Sequence, residues 1–313
     1  MDVTGPYLEG PSGFLWAFPK LATPEDARSH VNFWADRGAT SFKAYNVIDR
    51  ATLSAAIDAA HARGLKVTGH LCSVTYREAV DLGIDNLEHG FFAATDWVAD
   101  KRPDECPSGA RQSYLDLDLE SSAFTDLVDH LIENDVALTS TLTVVERAAP
   151  GREPPLIGAQ EAMLPQLHES VMARLVRANR SGNTGGALLA KYMAMEKAFY
   201  DAGGTLVVGT DPTGGGDVVP GYANQRAVQL LVELGLTIEQ AVEVATKNGA
   251  MYLGREAEIG TIEVGKRADL VLMRGDPGAD IEALRAMTIV FKDGVGYDSA
   301  KLFTSVKAWV GVR

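Results

Sequence analysis

Four residues of this sequence could do hydrolytic chemistry together, and each stands in or at the end of a segment that reads as a β-strand. Lys43 lies within SFKAY, His70 closes LKVTGH, His89 closes DNLEH and Asp211 closes TLVVGTD. Imidazole and carboxylate are the ligand types that hold Zn, Mn, Fe or Ni. The lysine is the odd member, because an ammonium ion is costly to bury. Singly, each residue has a plainer account. A strand-end histidine makes structural hydrogen bonds, a strand lysine snorkels to the surface, and an aspartate before Pro212 opens a turn. Their joint placement favours the chemical reading, because functional groups in parallel α/β barrels gather at the C-terminal ends of strands. Tyr45, two residues beyond Lys43, shares its face of the strand. It is read first as a barrel filler and second as a substrate contact. His30, His61, His130 and His168 fall in helical stretches and receive no role. Gly214, Gly215 and Gly216 lack the Lys-Ser signature of a phosphate cradle and read as a flexible loop beside the site.

The elements that must position these groups alternate. Residues 1–7 read as a short strand broken at Gly5-Pro6. Thr23-Pro24-Glu25-Asp26 opens a helix that stops at Gly38. The Lys43 strand follows, then a helix capped by Asp49 and ended by Gly64. Thr75 with Glu78, and Thr237 with Gln240, form capping boxes. A Pro-, Asp- and Gly-rich loop is expected over 94–119 and a partly helical insertion over 146–186. Strand–helix repeats of this kind predict a parallel sheet with crossover helices, about six βα units within residues 1–254. Residues 255–313 turn β-rich and read as a second, small β unit.

The 313 residues carry a net charge of −13, which makes nucleic acid an unexpected partner. No apolar run approaches the roughly 20 residues that span a bilayer, so no membrane partner is expected. Two cysteines, Cys72 and Cys106, make no disulfide framework in a chain of this length. That leans towards a reducing compartment and a cytoplasmic location. MDVTGPYLEG has neither the basic start nor the apolar core of a signal peptide.

The ordered set FKAY, GLKVTGHLCSVT, GIDNLEHG, VVGTDPTGGG and ATKNGAMYLGREAEIGTIEVGKRADLVL resembles the metal-dependent amidohydrolase superfamily, in its imidazolonepropionase-like and Xaa-Pro dipeptidase-like branch. The resemblance implies a (β/α)8 TIM barrel with a small β-sandwich. It implies that Lys43 is carboxylated by CO2 to a carbamate able to bridge two metal ions, which removes the charge that made burial costly. It further implies that His70 and His89 are metal ligands, and that Asp211 binds metal and shuttles the proton of the attacking water. The cofactor is expected to be one or two divalent ions, zinc foremost, and the reaction hydrolysis of C–N bonds in small amides, cyclic amides or dipeptides by a metal-activated water. A homo-oligomer is compatible with this picture.

The sequence departs from the family at its start. It contains no His-x-His pair, and the segment near Tyr7 corresponds to the third barrel strand of the family. The expectation is therefore an incomplete barrel over 1–254 and a sandwich remnant over 255–313, seen in an N-terminally truncated form of a longer enzyme. Lys43, His70 and His89 would suffice for the second metal site, whereas the first would keep only Lys43 and Asp211. A non-catalytic remnant with a degenerate site is the alternative. A phosphate-binding barrel isomerase fits the strand count but gives no reason for the histidines and the lysine.

Overall fold

A computed structural model describes residues 2–14, 17–180, 182–212 and 217–311. The expected glycine loop at 214–216 lies outside the described residues. The strands are β1 (Ser41–Asn46), β2 (Lys66–Leu71), β3 (Asn86–Glu88), β4 (Ala137–Ser140), β5 (Leu206–Val208), β6 (Leu270–Met273), β7 (Met287–Lys292) and β8 (Val295–Asp298). The first five form one sheet in the order β1-β2-β3-β4-β5, and the last three form a second. The β1–β2, β2–β3 and β3–β4 pairs are parallel, which fits the α/β TIM-barrel-like fold expected from the sequence. The segment before β1 is only a rudiment of a strand: Thr4 bridges Ser41 and Leu8 bridges Ala44, both in parallel.

Helices follow the strands as the caps dictate. They are α1 (Pro24–Ala35), α2 (Arg50–His61) and α3 (Tyr76–Asp81), then α4 (Ala110–Asp116) and α5 (Ser122–Glu133). The Thr75–Glu78 capping box starts α3, and the Asp49 side chain accepts from the Thr52 amide to start α2. Each satisfies amides that a helix start leaves without internal partners. The expected loop over 94–119 is broken by α4, which buries Tyr114. The Tyr114 hydroxyl donates to the Phe92 and Ala94 carbonyls at 2.8 and 2.5 Å. A single buried anchor thus turns polar sequence into a short helix. The helix α6 (Leu142–Val145) precedes the insertion expected over 146–186, α7 (Ile157–Ala162) and α8 (Pro165–Arg180) lie within it, and α9 (Thr184–Asp201) begins at its end.

The chain divides into two compact units. One comprises Met1–Ser140 with Ala194–Leu206, the other Thr141–Met193 with Val207–Arg313. The first has its core in the apolar faces of β1–β4, including Phe42, Ala44, Val67, Leu87 and Leu138, each at most 1% exposed. The second unit contains α10 (Tyr222–Glu233), the antiparallel β6-β7-β8 sheet and a terminal helix α11 (Ser299–Ser305). It also holds a cavity of about 520 Å³. Arg152 and Arg226 there each bridge Glu146, at 2.9 Å, and Glu233, at 2.6 Å, in a closed ring of ion pairs.

The cysteines correct the sequence reading. Cys72, just past β2, and Cys106 are bonded, with Cα atoms 4.9 Å apart. Such bonds persist in oxidising surroundings, so the ground for inferring a reducing compartment falls away. Spacing could not show this, because two cysteines with a sequence separation of 34 meet only once the loop folds over the strand ends. Two polar contacts hold the same loop. Asp104 accepts from Arg50 Nε and Nη2 at 3.0 and 3.1 Å, and Lys101 Nζ donates to the Ser73 carbonyl at 2.6 Å. No helix among the described residues is long and apolar enough to cross a membrane. Thiol titration of the denatured, unreduced protein is expected to find no free thiol, and Cys106→Ser to lower stability by about 2–4 kcal/mol; two reactive thiols would show that the link does not form.

Candidate active site

Lys43, His70 and His89 all belong to the first unit, and the strand register explains their grouping. Lys43 lies opposite Thr68 and Tyr45 opposite His70, so alternation puts all four on one face. Thr68 in turn lies opposite Asn86 on β3, so Glu88, two residues on, shares that face. His89 follows Glu88 and by alternation should face the other way. It does not, because the chain leaves the strand at this residue with φ +69°, and Gly90 follows at +57°. A left-handed histidine is uncommon, and such strain gathers at functional sites. The turn brings the His89 ring edge-on to His70, with centroids 4.5 Å apart and planes at 71°. His89 is 5% exposed.

The lysine is buried but not alone. Its Nζ is ion-paired with Glu88 Oε2, and the Lys43 side chain is 10% exposed. Thr68 Oγ1 donates to the other carboxylate oxygen of Glu88 at 2.5 Å. His89 Nε2 stands 3.9 Å from Glu88 Oε2. Rings complete the surround: Lys43 Nζ lies 5.1 Å from the Tyr7 centroid and 6.0 Å from that of Tyr45, within cation–π range. Tyr45 stacks obliquely between Tyr7, at 5.0 Å, and His70, at 4.9 Å.

Glu88 is the residue that sequence reasoning missed. A signal was present, since Glu88 is a carboxylate on a three-residue strand and shares the face of Asn86, two residues before it. Alternation, however, assigned the inward position to only one of Glu88 and His89. Asp211 lies in the second unit, past β5, with φ +45°. The remaining histidines serve local structure, as expected. His30 lies 3.2 Å from the Pro6 carbonyl, and His61, His130 and His168 pair with Asp85, Asp81 and Gln160 at 2.9, 2.8 and 3.0 Å.

The His89–Gly90 turn is anchored from behind. Tyr76 donates its hydroxyl to the Gly90 carbonyl at 2.8 Å, and burial pushes its pKa well up, keeping it a donor. The Gly90 amide donates to the Thr139 carbonyl at 2.9 Å. Glu196 is 1% exposed, and burial, opposed by a hydrogen bond from Ser140, raises its pKa to about 8. Among the described residues no three His, Cys, Asp or Glu side chains are grouped to hold a metal ion. The two imidazoles would need a third donor of another kind.

Two measurements test these electrostatics. Glu88→Gln strands a buried ammonium and is expected to cost about 3 kcal/mol in urea unfolding, part of it recovered in Lys43→Met/Glu88→Gln. Glu196 holds its proton in the folded state while the unfolded chain releases it from its ordinary value of 4.5. Stability should therefore fall as pH rises from about 4.5 to about 8 and level off above. Glu196→Gln should flatten that slope, which is worth about 1.4 kcal/mol per pH unit at most; an unchanged slope would assign it to other groups.

Comparison with known proteins places these observations. A 5-methylthioadenosine/S-adenosylhomocysteine deaminase of Moorella thermoacetica is 39% identical over 92 residues, covering 27% of this chain and 21% of the deaminase. An imidazolonepropionase of Porphyromonas gingivalis is 35% identical over 96 residues, covering 29% and 21%. The matches thus span about a fifth of each relative's length. A solved Xaa-Pro dipeptidase with bound methionine shares the fold at a TM-score of 0.62 and 20% identity, over 94% of this chain and 66% of that one. The amidohydrolase family model matches residues 35–297, and the chain belongs to that family.

Proposed function

We propose that this chain carries part of the centre of a C–N bond hydrolase, with small amides, cyclic amides or dipeptides as substrates. The observation that carries the reading is the gathering of Lys43, His70 and His89, from three consecutive parallel segments, within one compact unit. Membership of the amidohydrolase family supports it, as do the deaminase and imidazolonepropionase names of the matched relatives. We keep residues 1–254 as the barrel part and 255–313 as part of a sandwich.

The donor chemistry fits a divalent ion such as zinc in one form of Lys43 only. An ammonium cannot ligate, but a carbamate formed from the lysine amine and CO2 offers oxygen donors beside the two imidazoles. A metal held there would lower the pKa of a water and polarise the scissile carbonyl. In this reading His70 and His89 would hold the ion through neutral ring nitrogens, and Asp211 would accept a proton from the water and donate one to the leaving nitrogen. Tyr45 and Tyr7 wall the site and exclude bulk water from Lys43.

The second reading, a non-catalytic remnant, draws on the Lys43–Glu88 ion pair. A lysine kept as a cation by its neighbour is not a metal ligand. The two readings separate when the protein is incubated with zinc and 13C-labelled bicarbonate. Carbamylation should yield a labelled carbonyl signal that Lys43→Ala lacks, together with zinc that survives dialysis. In an active preparation Asp211→Asn should lower kcat by about a hundredfold or more without shifting the melting temperature. Absence of both label and zinc in folded protein, or full turnover by Asp211→Asn, would favour the remnant.

A further inference from the structure

His89 owes its position to a turn that an ordinary strand would not make, and something must hold that turn. His89 and Gly90 are both left-handed, at φ +69° and +57°. A Cβ built on Gly90 would fall inside the carboxyl group of Glu196, with Cγ and Cδ both 2.9 Å away. The glycine is thus required twice, by its backbone angle and by the side chain packed against it. Glu196 comes from α9 and is a buried acid whose Oε2 has no hydrogen-bond partner among the described residues. A glutamate so placed is poorly explained as a stabiliser of the helix, because burying an unpaired carboxyl is unfavourable. Phe91, directly after the turn, packs on Phe124 and Phe199 with ring centroids 5.4 and 6.3 Å away.

We infer that Glu196 is a positioning residue for His89: its carboxyl group, packed on the Cα of Gly90 and hydrogen-bonded to Ser140, holds the left-handed turn that aims the imidazole at His70. The group works in its neutral form, as its raised pKa allows at neutral pH. Shape and hydrogen bonding matter here, and charge does not. Tyr76 fixes the Gly90 carbonyl from α3, so the turn is clamped between two helices that contribute no side chain to the imidazole pair itself. The role in binding rests on the reading of His89 as a ligand; the role in holding the turn does not.

The test compares Glu196→Gln, which keeps shape and neutrality, with Glu196→Ala, which opens space over Gly90. Two readouts are used. The His89 ring signals in the NMR spectrum of the metal-free protein report the turn, and calorimetric zinc affinity after bicarbonate treatment reports the site. Glu196→Gln should match the native protein in both. Glu196→Ala should shift or broaden the His89 signals and weaken zinc binding about tenfold or more, the usual effect of losing an outer support of a ligand. Gly90→Ala should do the same, and less severely in the Glu196→Ala background, where the collision is relieved. If Glu196→Ala does not fold, Glu196→Ser carries the comparison. A folded truncation with native His89 signals overturns the inference, even if its melting temperature drops. Failure of the native protein to bind zinc would count against the metal reading alone, because the His89 signals still report the turn.

Discussion

A lysine ammonium that is nine-tenths withdrawn from water needs a counter-charge or must lose its own. In this protein the counter-charge is Glu88, and the arrangement around it follows from that requirement. Thr68 orients the second carboxylate oxygen, two tyrosine rings close over the ammonium, and the His89 imidazole stands 3.9 Å from the carboxylate. Removing a buried charge from water is repaid only when its remaining hydrogen-bonding capacity is met, and the partners of this charge come from neighbouring strands. The same cluster is a switch point in chemistry. Converting Lys43 to an anion would set it against Glu88, so a cation would have to enter between them.

Two left-handed residues give the cluster its histidine. Strand alternation can offer the site one residue of any adjacent pair, and a Glu-His pair at a strand end would normally split between faces. Leaving the strand at His89 lets both serve. The strain is distributed over supports outside the site: the Tyr76 hydroxyl, the Thr139 carbonyl, the aromatic packing of Phe91 and the carboxyl of Glu196. Rigid elements hold the site from behind, while the loop carrying Cys106 is tied to the same strand ends by a covalent bond, an Arg50–Asp104 pair and Lys101.

Much of this was legible in the residues themselves. Capping boxes at Thr75 and Thr237 and the acid cap at Asp49 mark their helix starts because they act over three or four residues. The grouping of Lys43, His70 and His89 also followed, because parallel strands bring their ends to one edge. Sequence alone therefore determined the alternating α/β order, the family and the gathering of Lys43, His70 and His89. Tertiary structure decided what long-range contacts govern: Glu88 as the partner of Lys43, Glu196 behind Gly90, α4 within an apparent loop, and the bond between Cys72 and Cys106. Local periodicity encodes which face a residue takes only while the backbone stays regular. Where it turns left-handed, or where two cysteines with a sequence separation of 34 are brought together, packing elsewhere in the chain sets the outcome.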